Sequence, residues 1–259
     1  MTIRNTILSQ KDHYLLENLL AKHGDVVQFE QIVQEAKHYT SNRQSVRNWV
    51  NKLTQTGWLV RLQRGTYVIS SMESLGAITL ASPTVAQIIV PQSYVSFEAA
   101  LQHHGMFDQM LKIIRSVSLK KETVKVIQDI QYHFVYTTQE QYYGFIEEKL
   151  DNRIVKIATA EKALLDLLHF HRSLYAVDIV QEKFREYKSD IDLQRLIELL
   201  RRQTVTVQRI VGFVLDQIQY DTSQLYILIQ TDRSVSKMTT DSTKFSAKWR
   251  LYYHQHFEQ

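Results

Sequence analysis

Within two helical turns the chain places Gln44, Arg47, Asn48 and Asn51, flanked by Arg43 and Lys52. These side chains suit nucleic-acid chemistry. Asn and Gln amides bond adenine edges in pairs, the Arg fork matches guanine, and Arg or Lys also holds phosphate oxygens. At about 100° per residue they gather on one side of a helix. The other side is apolar, because Val46, Trp49, Val50 and Leu53 fall at i, i+3, i+4 and i+7. An ordinary solvated helix face is rich in glutamate, yet no acid occurs between Arg43 and Gly65.

Such a face needs a helix with fixed ends. Ser41 or Asn42 is placed to cap its start, and Gly57 to stop it. Residues 58–62 and 67–69 then read as two short strands around Gln63-Arg64-Gly65, where glycine permits φ > 0. Arg61 and Arg64 fall on this hairpin, within reach of a backbone phosphate or the minor groove. Upstream, apolar residues from Ile7 to Leu20 predict a first helix ending near Gly24. Val27, Phe29, Ile32 and Val33 predict a shorter second helix, and residues 36–41 make the turn into the third. Three helices and a hairpin over residues 1–72 describe a winged helix-turn-helix, which docks one helix in the major groove of DNA. The expected DNA-binding set is Arg43, Gln44, Arg47, Asn48, Asn51, Lys52, Arg61 and Arg64.

Charge agrees with that placement. Residues 1–70 carry nine Lys or Arg against five Asp or Glu, and that excess equals the whole formal charge of +4 on the 259-residue chain. Phosphate attraction requires a basic face of this kind. There are no cysteines, so disulfides and thiolate zinc sites are excluded. No apolar run approaches the roughly 18 residues of a membrane span. The first residues lack the core and cleavage site of a signal peptide, so a cytoplasmic protein is expected.

The remainder, residues 77–259, reads as a larger α+β domain beyond a small polar linker at 70–76. Residues 84–90 and 96–105 predict helices, the latter with Ser96 as N-cap and Gly105 at its stop. Strands are expected at 116–119, 124–127, 132–136 and 154–157. Helices return at 159–170, capped by Thr159, and at 192–202 and 207–218. The last 30 residues show no pattern that assigns them.

Candidate chemistry in this part is sparse. No Gly-rich phosphate loop and no G-x-S-x-G elbow occur among the seven glycines. The pairs His103-His104 and His169/His171 would point to different faces of a helix, which suits no shared metal. His254/His256 would share a face only on a strand. Glu161, Lys162 and Asp166 form an acid-x-Lys grouping that could hold a divalent ion for a nuclease, but a helix start gives Glu161 and Lys162 simpler dipole and surface roles. No catalytic residue, metal site or cofactor is therefore expected.

Three segments carry a resemblance. They are GWLVRLQRGTYVI at 57–69, SYVSFEAALQHHG at 93–105 and ATAEKALLDLL at 158–168. Together they resemble the AbiEi family of antitoxins from type IV toxin–antitoxin and abortive-infection systems. Ala160 stands where that family often has proline, which loses only a preset φ at the helix start. The resemblance implies a winged helix that binds promoter inverted repeats in double-stranded DNA and represses its own operon. It also implies a C-terminal part needed to neutralise a nucleotidyltransferase-like toxin without a stable complex. Two other classes stay open at this stage: a transcription factor whose C-terminal domain senses a ligand, and a DNA-tethered metal-dependent nuclease using Glu161 and Asp166.

Overall fold

A computed structural model describes residues 7–258, which divide into two compact units between Val85 and Ala86. In the first, helix α1 (Gln10–His23) starts at a capping box. The Asp12 carboxylate accepts from the Ser9 N–H at 3.0 Å, and the Ser9 hydroxyl accepts from the Asp12 N–H at 3.3 Å. Strand β1 (Val26–Gln28) follows Gly24, then helix α2 (Phe29–Ala36) and helix α3 (Arg43–Gln55). Strands β2 (Leu59–Gln63) and β3 (Thr66–Ile69) form the hairpin, and the sheet order is β1-β3-β2. Leu15, Leu19, Val27, Ile32, Val46, Val50, Leu53 and Leu59 are buried together as this unit's core.

Two expectations for this unit need correction. Ile7 lies outside the first helix and is 84% exposed, because the chain enters α1 only at the Ser9 cap. Val27 belongs to a strand, not to the second helix, and pairs antiparallel with Tyr67. A three-residue strand is too short to show alternation, and it is made by its partner across the sheet.

The second unit is built on a six-stranded mixed sheet of order β6-β7-β5-β4-β9-β8. Helix α4 (Ser82–Ile89), which straddles the boundary at Val85, precedes strand β4 (Ser93–Val95) and helix α5 (Phe97–His103). Strands β5 (Ile113–Ser118), β6 (Lys125–Ile127), β7 (Ile130–Tyr136), β8 (Phe145–Leu150) and β9 (Arg153–Ala158) complete the sheet. Helix α6 (Ala160–Phe170) then enters the core, surrounded by helices α7 (Leu174–Glu186), α8 (Leu193–Leu200) and α9 (Val205–Gln217). Helix α10 (Ser223–Ile229) leads to a second sheet of strands β10 (Ser236–Lys237), β11 (Lys244–Ser246) and β12 (Leu251–Tyr253) in the order β10-β12-β11. The chain is thus a mixed α+β fold with a winged-helix N-terminal region. Strands β4 and β8 and helices α7 and α10 were not expected from the sequence. The last 30 residues supply the small C-terminal sheet.

The segment between β11 and β12 packs closely against α9. Gly212 lies on the α9 face against Trp249, which is 1% exposed and donates its indole N–H to Asp216 at 2.5 Å. A Cβ at position 212 would enter the Trp249 ring. Gly212→Ala is therefore expected to lower stability by about 1–3 kcal/mol, since a close-packed site resists extra volume. Thermal unfolding followed by tryptophan fluorescence checks this, and a melting temperature equal to the parent's would refute it.

Two roles assigned to α5 and α6 also change. Ser96 sits at the N-cap of α5 but makes no side-chain cap bond, and its hydroxyl donates to Asp166 at 2.6 Å instead. Glu161 and Lys162 are not surface residues: they are 2% and 1% exposed, and Asp166 is 0%. The Lys162 ammonium donates to the Tyr94 hydroxyl at 3.0 Å and forms an ion pair with Asp166. The Tyr94 hydroxyl in turn donates to Asp166 at 3.1 Å. Helix α6 is covered on all sides by neighbouring elements, so its polar positions face inward as well as its apolar ones.

Candidate nucleic-acid interface

Helix α3 carries the candidate site, and its ends are well defined. Asn42 is the N-cap, and its side-chain oxygen accepts from the N–H groups of Gln44 and Ser45 at 2.8 and 3.3 Å. Gly57, at φ +88°, terminates the helix in a conformation that favours glycine. Val46, Val50 and Leu53 bury the inner side. Gln44, Arg47, Asn48, Asn51 and Lys52 are all exposed, as are Arg43, Arg61 and Arg64.

The exposed side chains fall into three groups. Gln44 and Asn48 form an outward ridge, linked by a hydrogen bond from the Gln44 amide to the Asn48 carbonyl at 3.2 Å. Arg47 donates to the Gln44 side-chain oxygen at 3.2 Å and joins that ridge to one flank. On this flank Arg43, Arg47, Asn51, Arg61 and Arg64 meet in a concavity of about 550 Å³, floored by Phe29, Gly65 and Tyr67. Four arginines from a helix and a hairpin therefore share one groove. Glu30, on α2, is the acid lining it.

Lys52 stands on the opposite flank. It pairs with Asp12 at 3.0 Å, and Trp49 donates its indole N–H to the same carboxylate at 2.6 Å. Asp12 is 2% exposed, so it ties α3 to α1 from beneath. Burial raises its pKa, but hydrogen bonds from Ser9, Trp49 and Lys52 outweigh this and hold the carboxyl below its usual range. Beside it a second hollow of about 330 Å³ is lined by Lys11, Thr40, Ser45 and Lys52 among others. The structure thus does not bring Lys52 into the arginine groove, and it adds Lys11, Thr40 and Ser45 to the other flank.

The hairpin is fixed to the helices. Gly65, at φ +79°, turns the chain between β2 and β3, and its carbonyl accepts from the Phe29 N–H at 2.7 Å. Arg61 donates to the Gln63 carbonyl at 3.3 Å. Gln55, seven residues after Asn48 and exposed, extends the ridge and was missed. Its i+7 spacing was the available signal. Glu30, Lys11 and Thr40 lie outside α3, and only the folded arrangement brings them beside it.

The helices, the hairpin and the outward ridge define a winged helix-turn-helix of the transcriptional-regulator class. More particularly, residues 14–70 match the family model described as transcriptional regulator, AbiEi antitoxin. No curated protein matches the chain. Among solved structures, a crystal structure of the RV2827C protein from Mycobacterium tuberculosis is similar in fold, with a TM-score of 0.67 at 13% identity. That likeness covers 96% of this chain and 93% of the other.

The remaining candidate chemistry is dispersed. His103 bonds Glu148 at 2.7 Å, whereas its neighbour His104 bonds the Ala158 carbonyl at 2.8 Å. His256 bonds Asp178 at 2.8 Å, and His254 faces Asp241 at 3.4 Å. No cluster of three or more His, Asp or Glu able to hold a metal ion occurs among the described residues. The acid-x-Lys grouping of α6 is sealed in the core, where substrate has no access to Lys162 or Asp166. No helix is long and apolar enough to cross a membrane among the described residues.

Proposed function

We propose that this protein is a DNA-binding autorepressor and antitoxin of a type IV toxin–antitoxin system, acting in the cytoplasm. The observation that carries the reading is the pairing of an amide ridge with an arginine groove on one face of the winged helix. Gln44, Asn48 and Asn51 would meet base edges in the major groove, with Arg47 at the boundary. Arg43, Arg61 and Arg64 would hold one phosphate strand, and Lys52 with Lys11 the other. The partner would be double-stranded DNA bearing promoter inverted repeats. The second unit would serve neutralisation of a nucleotidyltransferase-like toxin without a stable complex; the family match of the first unit supports this part of the reading.

The test is an affinity series on promoter and scrambled duplexes. Asn48→Ala is expected to lose about 1–3 kcal/mol on the promoter and little on scrambled DNA. Arg64→Ala is expected to weaken both duplexes alike and to flatten the slope of log K against log salt by about 0.9. Unchanged binding by both variants would remove the assignment.

A further inference from the structure

The arginine groove contains a carboxylate that a phosphate-binding surface would be better without. Glu30 lies in the first turn of α2, and its side chain is 67% exposed. It is not needed to fill the core. It accepts from both terminal nitrogens of Arg43, through Nη1 to Oε2 at 3.0 Å and through Nη2 to Oε1. The Arg43 guanidinium also lies over the Phe29 ring, 5.3 Å from its centre. Arg43 is the first residue of α3 and is 51% exposed, so the pair is held in water rather than buried.

Two physical facts bear on this pair. An exposed ion pair is weak, so a phosphate seated squarely on Arg43 displaces the carboxylate, whereas a loosely placed one does not. A carboxylate within one groove of four arginines nonetheless lowers the positive potential there and occupies one fork. We infer that Glu30 withholds Arg43 from the DNA backbone and so limits sequence-independent binding. This rests on the DNA-binding reading above. In wild type the groove grips a random duplex through Arg47, Arg61 and Arg64. A well-fitted operator presents a phosphate that exchanges for Glu30 and recruits Arg43. Specificity is thereby raised by restraint of the non-specific state rather than by a new base contact.

The test uses the full chain, a random-sequence duplex and the promoter duplex, titrated between about 50 and 200 mM salt. Glu30→Gln keeps the side-chain shape and removes the charge. Non-specific affinity should rise on the order of 5- to 10-fold near 0.1 M salt, with a slope steeper by about 0.9, as one added phosphate contact requires. Promoter affinity should rise less, so the promoter-to-random ratio falls. Adding Arg43→Ala to Glu30→Gln should abolish the gain. A Glu30→Gln protein with wild-type affinity and slope on random DNA overturns the inference. So does a loss confined to the promoter, which would make Glu30 a base-reading residue. A wild type with no salt-sensitive duplex binding would instead overturn the DNA-binding reading, and this inference with it. A wild-type melting temperature for Glu30→Gln shows that any change is not one of folding.

Discussion

Replacing Asp166 with alanine is expected to destabilise the second unit by about 3–5 kcal/mol, a large share of any domain's margin. Lys162 is 1% exposed, and without Asp166 its ammonium would keep, among the described residues, the Tyr94 hydroxyl at 3.0 Å as its hydrogen-bond partner. The Ser96 hydroxyl, which is fully buried, would lose its acceptor as well. Tyr94 itself stays neutral throughout, because burial and the adjacent Asp166 charge drive its pKa far up. The companion variant separates cause from mere truncation. Lys162→Met with Asp166→Leu removes both charges together, and should recover part of the loss, because apolar replacement of a buried pair is often close to neutral while the Tyr94 and Ser96 hydroxyls still lack their acceptor. Urea unfolding of the full chain, followed in both variants, measures this. A single variant as stable as wild type, or a double variant worse than the single, would contradict the account.

The second large effect belongs to Asp12. This carboxylate caps α1, receives the Trp49 indole N–H at 2.6 Å and pairs with Lys52 at 3.0 Å. Asp12→Ala should cost about 2–4 kcal/mol, from one lost cap and the stranding of a part-buried donor. The same change should weaken DNA binding, since it frees α3 from α1 at the position that aims the ridge. The pH dependence follows from the sign of the shift. The Asp12 carboxyl titrates below its usual range in the folded state. Its contribution is therefore fully present above the unfolded value of about 3.9 and is lost as pH falls through the folded value. Asp12→Asn should be less stable than wild type at neutral pH, and the gap should close in strong acid. Parallel stability curves from neutral to strongly acid pH would rule this out.

The winged helix was legible because its signals are local. The 3.6-residue period of Val46, Trp49, Val50 and Leu53, the Asn42 cap and the Gly57 stop all lie within residues 42–57. The hairpin was legible for the same reason, with Gly65 at its turn. Strand β1 was not, because three residues become a strand only when β3 pairs with them. The helices of the second unit showed their period, but their burial did not follow from it. Lys162 and Asp166 are four residues apart, a spacing that also describes a common surface pair, and only the elements packed around α6 make it an interior one. Within the candidate site the sequence assembled the α3 and hairpin residues. It could not assign Lys52 to Asp12, forty positions away, nor bring Glu30 into the arginine groove.

The bond from the Phe29 N–H to the Gly65 carbonyl has a consequence for how a duplex would be fitted. It ties the hairpin tip to the start of α2, so the place of the tip is set by the scaffold. A protein with a stiff gauge of that kind leaves the bending to the nucleic acid. Sites with pliant pyrimidine–purine steps would then be favoured at positions that no side chain touches.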